Sequence, residues 1–172
     1  MKATVRVLSC LGCVLVGLVA GWFLALEVTP PVVEATATSE RDDLLIATGP
    51  IDEEGEVLFI LDALTGDLKA YVMHPTVGKF SGFYQANVLK DLQITNPKRA
   101  RFTMVTGRQR FRRGPGALQL GDTVLYVAEL STGRMVAYGL RWNRAYRTSA
   151  RGPQDILIPL DKRQFRQVQI RD

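Results

Sequence analysis

The stretch "VLFILDALTGDLKAY" (Val57–Tyr71) recurs later in the chain as "VLYVAELSTGRMVAY" (Val124–Tyr138). Six of the fifteen aligned positions are identical, including a Thr-Gly pair in the middle of each copy. A β-rich apolar run on either side of a glycine predicts a β-hairpin, because glycine takes the positive φ of a tight turn without steric cost. The expected turn residues are Asp62, Thr65 and Gly66 in the first copy and Glu129, Thr132 and Gly133 in the second. The recurrence indicates a duplicated structural unit.

A further β-rich run precedes each hairpin, "LLIATG" at Leu44–Gly49 and "RFTMVTG" at Arg101–Gly107. The sequence therefore predicts a mainly β domain over residues 44–172, with two tandem three-stranded antiparallel meanders in repeats 44–97 and 98–172. One meander cannot bury its apolar face alone. The repeats are expected either to close on each other as a compact sandwich or barrel, or to join other chains in a propeller-like ring.

One helix is expected between the repeats and one or two strands after them. Tyr84, Val88 and Leu92 are spaced i, i+4 and i+8, which favours a helix near Phe83–Leu92. The end of the chain is rich in β-formers, and its expected edge strand is Phe165–Arg171. The predicted architecture is thus two meanders, an intervening helix and a C-terminal strand.

Both hairpins resemble the strand–turn–strand core of β-propeller blades, especially quinoprotein-type blades with their "ALDAxTG" turn. The shared part is short, and it describes the shape of a hairpin. The resemblance implies a propeller-like fold and, as one alternative, a carrier of a cofactor or ligand. No cofactor residue is implied, because the ring of blades and the metal-assisted site of quinoproteins have no counterpart in this sequence. The chain as a whole is similar to small membrane-anchored bacterial envelope proteins, which implies an envelope location.

The beginning of the chain has the pattern of a membrane anchor over residues 1–26. Residues 7–26 carry no charge, and a helix of that length spans about 30 Å, the thickness of the hydrocarbon core of a bilayer. Lys2 and Arg6 precede the run, and positive flanks stay in the cytoplasm. We expect a single-pass helix in the cytoplasmic (inner) membrane and a periplasmic, extracytoplasmic remainder. A signal peptide is the alternative, although its apolar run is usually only about 7–15 residues.

Residues 27–43 contain paired prolines and small residues without an apolar period, which predicts a flexible linker. Cys10 and Cys13 lie inside the apolar run and are expected to face lipid; lipid modification of Cys10 is the alternative. No cysteine follows residue 13. The exported domain therefore depends on its apolar core and has no disulfide.

No catalytic, cofactor-binding or metal-binding residue is predicted, and no enzymatic activity is expected. His74, the only histidine, is expected in a turn after a strand. The acidic run from Asp52 to Glu56 lacks the alternating oxygen ligands of a calcium loop and is predicted to be a solvated turn. The glycine-rich run Gly114–Gly121 has no following Lys-Ser/Thr and is expected to be a flexible loop.

Charge is distributed unevenly between the repeats. Residues 27–97 contain twelve acidic and four basic side chains, whereas residues 98–172 contain five acidic and sixteen basic ones. The densest basic cluster is a candidate patch for an anion or a partner, and it consists of Lys98, Arg99, Arg101, Arg108, Arg110, Arg112 and Arg113. Trp142 and Tyr146 alternate with further arginines in the second repeat.

The charge pattern leaves three interpretations open. The basic patch binds anionic envelope polymer or lipid headgroups; the two repeats neutralise each other within one chain; or they meet head to tail in a homo-oligomer or with an acidic envelope partner. Nucleic acid is a poor candidate because the domain is expected outside the cytoplasm. The leading prediction is a membrane-anchored extracytoplasmic interaction or envelope-structural module, attached to the membrane through residues 7–26.

Overall fold

The computed structural model describes residues 38–40, 43–111, 119–149 and 152–166, and in the first of these ranges only the backbone. The predicted anchor and its cysteines, residues 27–37 of the linker, Arg112, Arg113 and residues 114–118 lie outside the described residues. Among the described residues, no helix is long and apolar enough to cross a membrane.

The fold is mainly β, as predicted. The strands are β1 (Thr38–Glu40), β2 (Leu44–Pro50), β3 (Glu56–Asp62), β4 (Asp67–Met73), β5 (Phe80–Asn87), β6 (Phe102–Arg108), β7 (Thr123–Glu129), β8 (Arg134–Gly139), β9 (Gln154–Ile156) and β10 (Ile158–Gln164). One short helix, α1 (Val88–Asp91), follows β5, and 3₁₀ turns occur at Pro97–Arg99 and Arg144–Arg147.

These strands form two open sheets. The first sheet has the order β1-β2-β3-β4-β5-β9, and the second has the order β10-β8-β7-β6. Strands β2 to β5 pair antiparallel with their neighbours in sequence, as do β6 to β8. Strand β9 instead lies parallel to β5, with Phe83 opposite Gln154. The C-terminal segment therefore returns to the first sheet before β10 joins the second.

The repeated sequence forms the same hairpin twice, β3–β4 in the first sheet and β7–β8 in the second. The register is identical, since Leu58 lies opposite Tyr71 and Leu125 lies opposite Tyr138. Gly66 and Gly133 occupy the turns with φ values of 72° and 71°. The first hairpin and the second hairpin are thus equivalent in backbone structure.

The two hairpins bury opposite faces. Phe59 of β3 is fully buried, whereas Tyr126, its equivalent in β7, is 44% exposed. The reverse holds on the other face of the hairpin. There, Tyr138 of β8 is fully buried, whereas its equivalent in β4, Tyr71, is partly exposed on the outer face. Successive side chains of a strand point to opposite faces of the sheet, so the first sheet contributes one face of the repeat to the core and the second sheet contributes the other.

Both sheets share one apolar core. At one end of the strands, the Thr106 hydroxyl of β6 donates to the Thr48 carbonyl of β2 over 2.6 Å. In the same region the Asp122 amide donates to the Ile51 carbonyl over 2.8 Å. These bonds hold β2 close to β6, and the two strands run in the same direction.

The helix predicted near Phe83–Leu92 is wrong over most of its length. Residues up to Asn87 belong to β5, and α1 has four residues, with Asn87 as its N-cap. The predicted face is nevertheless the buried one, because Tyr84, Val88 and Leu92 all lie in the core. A strand that runs into one helical turn buries the same three positions that a continuous helix would bury.

The predicted edge strand Phe165–Arg171 lies outside the described residues except for Phe165 and Arg166, neither of which is in a strand, and the last described strand is Ile158–Gln164. One boundary needs correction. Thr38–Glu40, inside the predicted linker, adds to the first sheet as β1, with Thr38 opposite Ala47.

Candidate functional site

The strands run between two ends of the domain, and each end collects a different set of loops. At the turn end, both hairpin turns contact the α1 region: the Val88 amide donates to the Gly66 carbonyl (2.8 Å), and Arg134 Nη1 donates to the Leu92 carbonyl (2.8 Å). The Asp52 end carries residues 50–55, 108–110, 119–123 and 141–149.

The basic patch predicted from the sequence is divided between these ends. Lys98, Arg99 and Arg101 precede β6 at the turn end. Arg108 and Arg110 follow at the Asp52 end, a strand of seven residues away, which corresponds to about 20 Å. There they lie 3.9 Å and 3.8 Å from Asp122. Closeness in sequence therefore does not make these five side chains one surface.

At the turn end, two adjoining cavities form a groove that we call the cationic groove. One, of about 220 Å³, is lined by Asp91, Leu92, Gln93, Arg134, Met135, Lys162, Arg163 and Gln164. The other, of about 360 Å³, is lined by Gln93, Ile94, Thr95, Asn96, Arg99, Ala100, Glu129, Ser131, Thr132 and Arg134. They share Gln93 and Arg134, so the two cavities adjoin at the start of β8, where Arg134 Nη1 also donates to the Gln93 carbonyl over 3.2 Å.

Strand β10 supplies cations to the groove that the sequence did not assign to it. Lys162 and Arg163 lie opposite Val136 and Met135 of β8. Their position depends on the pairing of β10 with β8, and the sequence places the C-terminal strand several residues later. The groove thus combines one residue of the predicted patch, Arg99 in a 3₁₀ turn, with cations from strands β8 and β10.

Glu129 lines the groove, but both of its carboxylate oxygens are hydrogen-bonded to other groups of the protein. Its side chain is fully buried and accepts hydrogen bonds from the Arg101 and Ser131 amides at one oxygen, and from the Thr132 amide and hydroxyl at the other. Burial alone would raise the pKa of Glu129, but the hydrogen bonds from Thr132, Arg101 and Ser131 lower it to about 2. Glu129 therefore stays ionised and holds the second turn to the start of β6.

Asp91, the other carboxylate of the groove, also faces protein donors. Tyr138 donates its hydroxyl proton to Asp91 Oδ2 over 2.7 Å, and Lys162 Nζ lies 3.4 Å from Oδ1. Burial and then the contact with Asp91 raise the pKa of Tyr138. The tyrosine is therefore a neutral donor that fixes α1 to the second sheet.

The acidic turn predicted to be solvated is partly buried, and this prediction is wrong for Asp52. Its carboxylate accepts hydrogen bonds from Trp142 Nε1 (2.6 Å), Arg147 Nε (2.8 Å) and the amides of Glu54 and Gly55. Burial raises the pKa of Asp52, but these donors, Arg147 foremost, lower it to about 2. We call Asp52, Trp142 and Arg147 the Asp52 cluster.

Ion pairs around the Asp52 cluster join the acidic first repeat to the basic second repeat. Arg144 Nη2 lies 2.8 Å from Glu53 Oε2, and Arg147 Nη1 lies 3.0 Å from Glu54 Oε2. Part of the opposite charge of the two repeats is thus neutralised within one chain.

The remaining candidates from the sequence are structural. Asp62 accepts the amides of Leu64 (2.8 Å) and Thr65 (3.1 Å) in the first turn. His74 lies in a turn after β4 and accepts the amides of Thr76 (3.2 Å) and Val77 (3.4 Å) at Nδ1. In the part of the chain that the structure describes, no three His, Cys, Asp or Glu side chains are placed to hold a metal ion together.

Comparison with known proteins adds no identification. No protein-family model, curated protein or solved structure matches this chain.

Proposed function

We propose that this chain is a membrane-anchored extracytoplasmic binding module without catalytic activity, and that its cationic groove binds a polyanion of the cell envelope. The observation that supports this function is the meeting of four cations from three separate segments in one groove, namely Arg99, Arg134, Lys162 and Arg163. Arginine guanidinium groups match the geometry of phosphate and carboxylate oxygens. The anchor is residues 7–26.

The shape of the groove favours an extended ligand. Its two cavities adjoin at Gln93 and Arg134, so that successive anionic groups of one polymer can face successive cations. The carboxylates of Glu129 and Asp91 direct both of their oxygens at donors of the protein. Their charge is therefore partly compensated before a ligand arrives.

The proposal is tested with the full chain in phosphatidylcholine nanodiscs and fluorescently labelled polyphosphate. We expect binding that weakens as salt is added and an about fivefold higher Kd for Arg99→Glu or Arg163→Glu, since each reversal removes one attractive and adds one repulsive contact. Lys79→Glu is the matched control, because Lys79 is exposed in the loop at the Asp52 end.

Absence of polyphosphate binding would reject the proposed function. Equal losses for Arg99→Glu and Lys79→Glu would also reject it, because they would show attraction to net positive charge without a defined groove.

A further inference from the structure

The outer faces of both sheets carry apolar, partly exposed side chains, interspersed with charged ones such as Lys69 in β4 and Asp161 and Arg163 in β10. The first sheet presents aliphatic and aromatic side chains on its outer face, namely Ile46, Leu58, Ile60, Tyr71 and Phe83. The second sheet does the same with Val105, Tyr126, Ala128, Met135 and Ala137. Val105 is 53% exposed, and Tyr126, which lies opposite it, is 44% exposed.

Each outer face corresponds, by repeat position, to a face that is buried in the core. The outer positions of the first hairpin correspond to buried positions of the second, in the pairs Leu58/Leu125, Ile60/Val127 and Tyr71/Tyr138. The outer positions of the second hairpin correspond to buried positions of the first, in the pairs Tyr126/Phe59, Ala128/Leu61 and Met135/Leu68. The two faces that pack together inside the chain thus have their counterparts on the outside.

This arrangement makes the intrachain packing heterologous: one face of the repeat contacts the opposite face of the next. A two-fold arrangement would instead bury the same face of both repeats. Heterologous contacts do not use up the binding surfaces, because every added unit leaves one face of each kind unoccupied.

We infer that a second copy of this chain occupies these faces, with the outer face of the first sheet of one copy packed on the outer face of the second sheet of the next. The interface between chains then continues the interface within the chain. This inference goes beyond the proposed function and does not depend on anion binding, although Met135 borders both the outer face of the second sheet and the cationic groove.

The direction of the strands also supports a second copy of the chain as the partner. Strands β3 and β7 both run from the Asp52 end to the turn end, so front-to-back stacking keeps every copy in the same orientation. All copies then receive their N-terminal segment on the same side. Such an assembly is compatible with anchoring of all its chains in one membrane.

The outer faces are less apolar than their buried counterparts. Lys69 lies on the outer face of the first sheet where the buried equivalent in the second sheet is Val136. Lysine is depleted from the cores of stable interfaces. The association is therefore reversible and depends on concentration, in contrast to the packing inside the chain.

The experiment measures the mass of the full chain in detergent micelles as a function of concentration. Tyr71→Glu disrupts the first outer face, and Tyr126→Glu makes the same change on the second. Each variant alone is expected to stay monomeric at concentrations where the wild type associates, with at least a tenfold higher dissociation constant. An equimolar mixture of the two is expected to form 1:1 dimers, because one intact face of each kind remains.

Three results would overturn the inference. They are a wild type that is monomeric at every concentration, a single variant that still associates with itself, and a mixture that stays monomeric. Self-association of both variants would place the contact elsewhere, for example in residues 7–26. Far-ultraviolet circular dichroism checks folding, and Ile60→Thr with Val105→Thr replaces the glutamate pair if either variant does not fold.

Discussion

The two hairpins share a turn and a register, but they use their carboxylates differently. Asp62 lies on the outer face and accepts two amides of its own turn. Glu129 lies on the inner face, is fully buried, and also accepts the Arg101 amide from the segment before β6. Equivalent positions of the two repeats therefore have different roles. The side chain on the outer face stabilises only its own turn, whereas the side chain on the core face also joins two segments.

The largest effect that tests this comparison is expected for Glu129→Gln. The amide nitrogen would face backbone donors in a site without solvent, so we expect a loss of about 3 kcal/mol in the free energy of unfolding. Asp62→Asn, the same change at the exposed equivalent, is expected to cost below about 1 kcal/mol. Urea unfolding of both variants measures the difference, and equal losses would show that burial does not separate the two hairpins.

The second-largest effect is expected from acid, which lowers the stability of the fold by protonating the buried carboxylates. Asp52 and Glu129 have pKa values of about 2 in the folded protein, below their ordinary values of 3.8 and 4.5. Because these pKa values are depressed, the stabilisation is complete above about pH 5 and is lost as the pH falls towards 2. At 1.36 kcal/mol per pKa unit, each group contributes on the order of 2–3 kcal/mol.

The measurement is the unfolding free energy between pH 6 and about pH 2.5, at constant ionic strength. Glu129→Gln should show a shallower decline than the wild type. Asp62→Asn should change the decline less, because the amides of Thr65 and Leu64 lower the pKa of Asp62 at a site that is not buried. A decline that Glu129→Gln leaves unchanged would assign acid sensitivity to other groups.

A smaller effect on stability is expected from substitution of the turn glycines, and here the first hairpin is expected to lose more than the second. Alanine at a positive φ costs about 1 kcal/mol at either position. At Gly66 the new Cβ would also lie 2.5 Å from Leu89 Cγ, which packs against the core. At Gly133 it would meet Arg166 Cβ and, at 3.0 Å, the Arg166 backbone nitrogen, so that relief requires a shift of the chain at the exposed end of the described residues.

We therefore expect Gly66→Ala to cost about 2 kcal/mol and Gly133→Ala about 1 kcal/mol. Chemical unfolding gives the costs, and faster amide exchange at Phe165 should accompany Gly133→Ala, because its amide donates to the Gly133 carbonyl. A larger loss for Gly133→Ala would mean that the C-terminal segment is held more firmly than its exposure indicates.

Local patterns in the sequence were sufficient to predict the hairpins, because a Thr-Gly turn between β-rich runs is decided by residues close in the chain. The helix prediction relied on local spacing as well, and it failed because that spacing does not distinguish a helix from a strand that ends in a helical turn. Spacing of Tyr84, Val88 and Leu92 records which side chains are buried, and a strand followed by one helical turn gives the same spacing. The residue Asn87, a good N-cap, was the available signal for the later start of α1.

The parts of the site that depend on distant pairing were not predictable in this way. Asp52 is buried by Trp142 and Arg147, which lie some ninety residues later, so its own neighbours in sequence indicate only a polar turn. Lys162 and Arg163 enter the groove through the register of β10 on β8. The exchange of Lys69 for Val136 between the repeats was a visible sign of the change of face, since a buried position excludes an unpaired lysine.

The parallel pairing of β9 with β5 has a consequence for how the chain folds. Gln154 meets Phe83 after a detour of about seventy residues through β6, β7 and β8, and closing so long a loop has an entropic cost that local hairpins avoid. The first sheet therefore receives its last strand only after three strands of the second sheet have been synthesised. Its local hairpins can form early, but its β5 edge stays open until the chain returns from the second sheet.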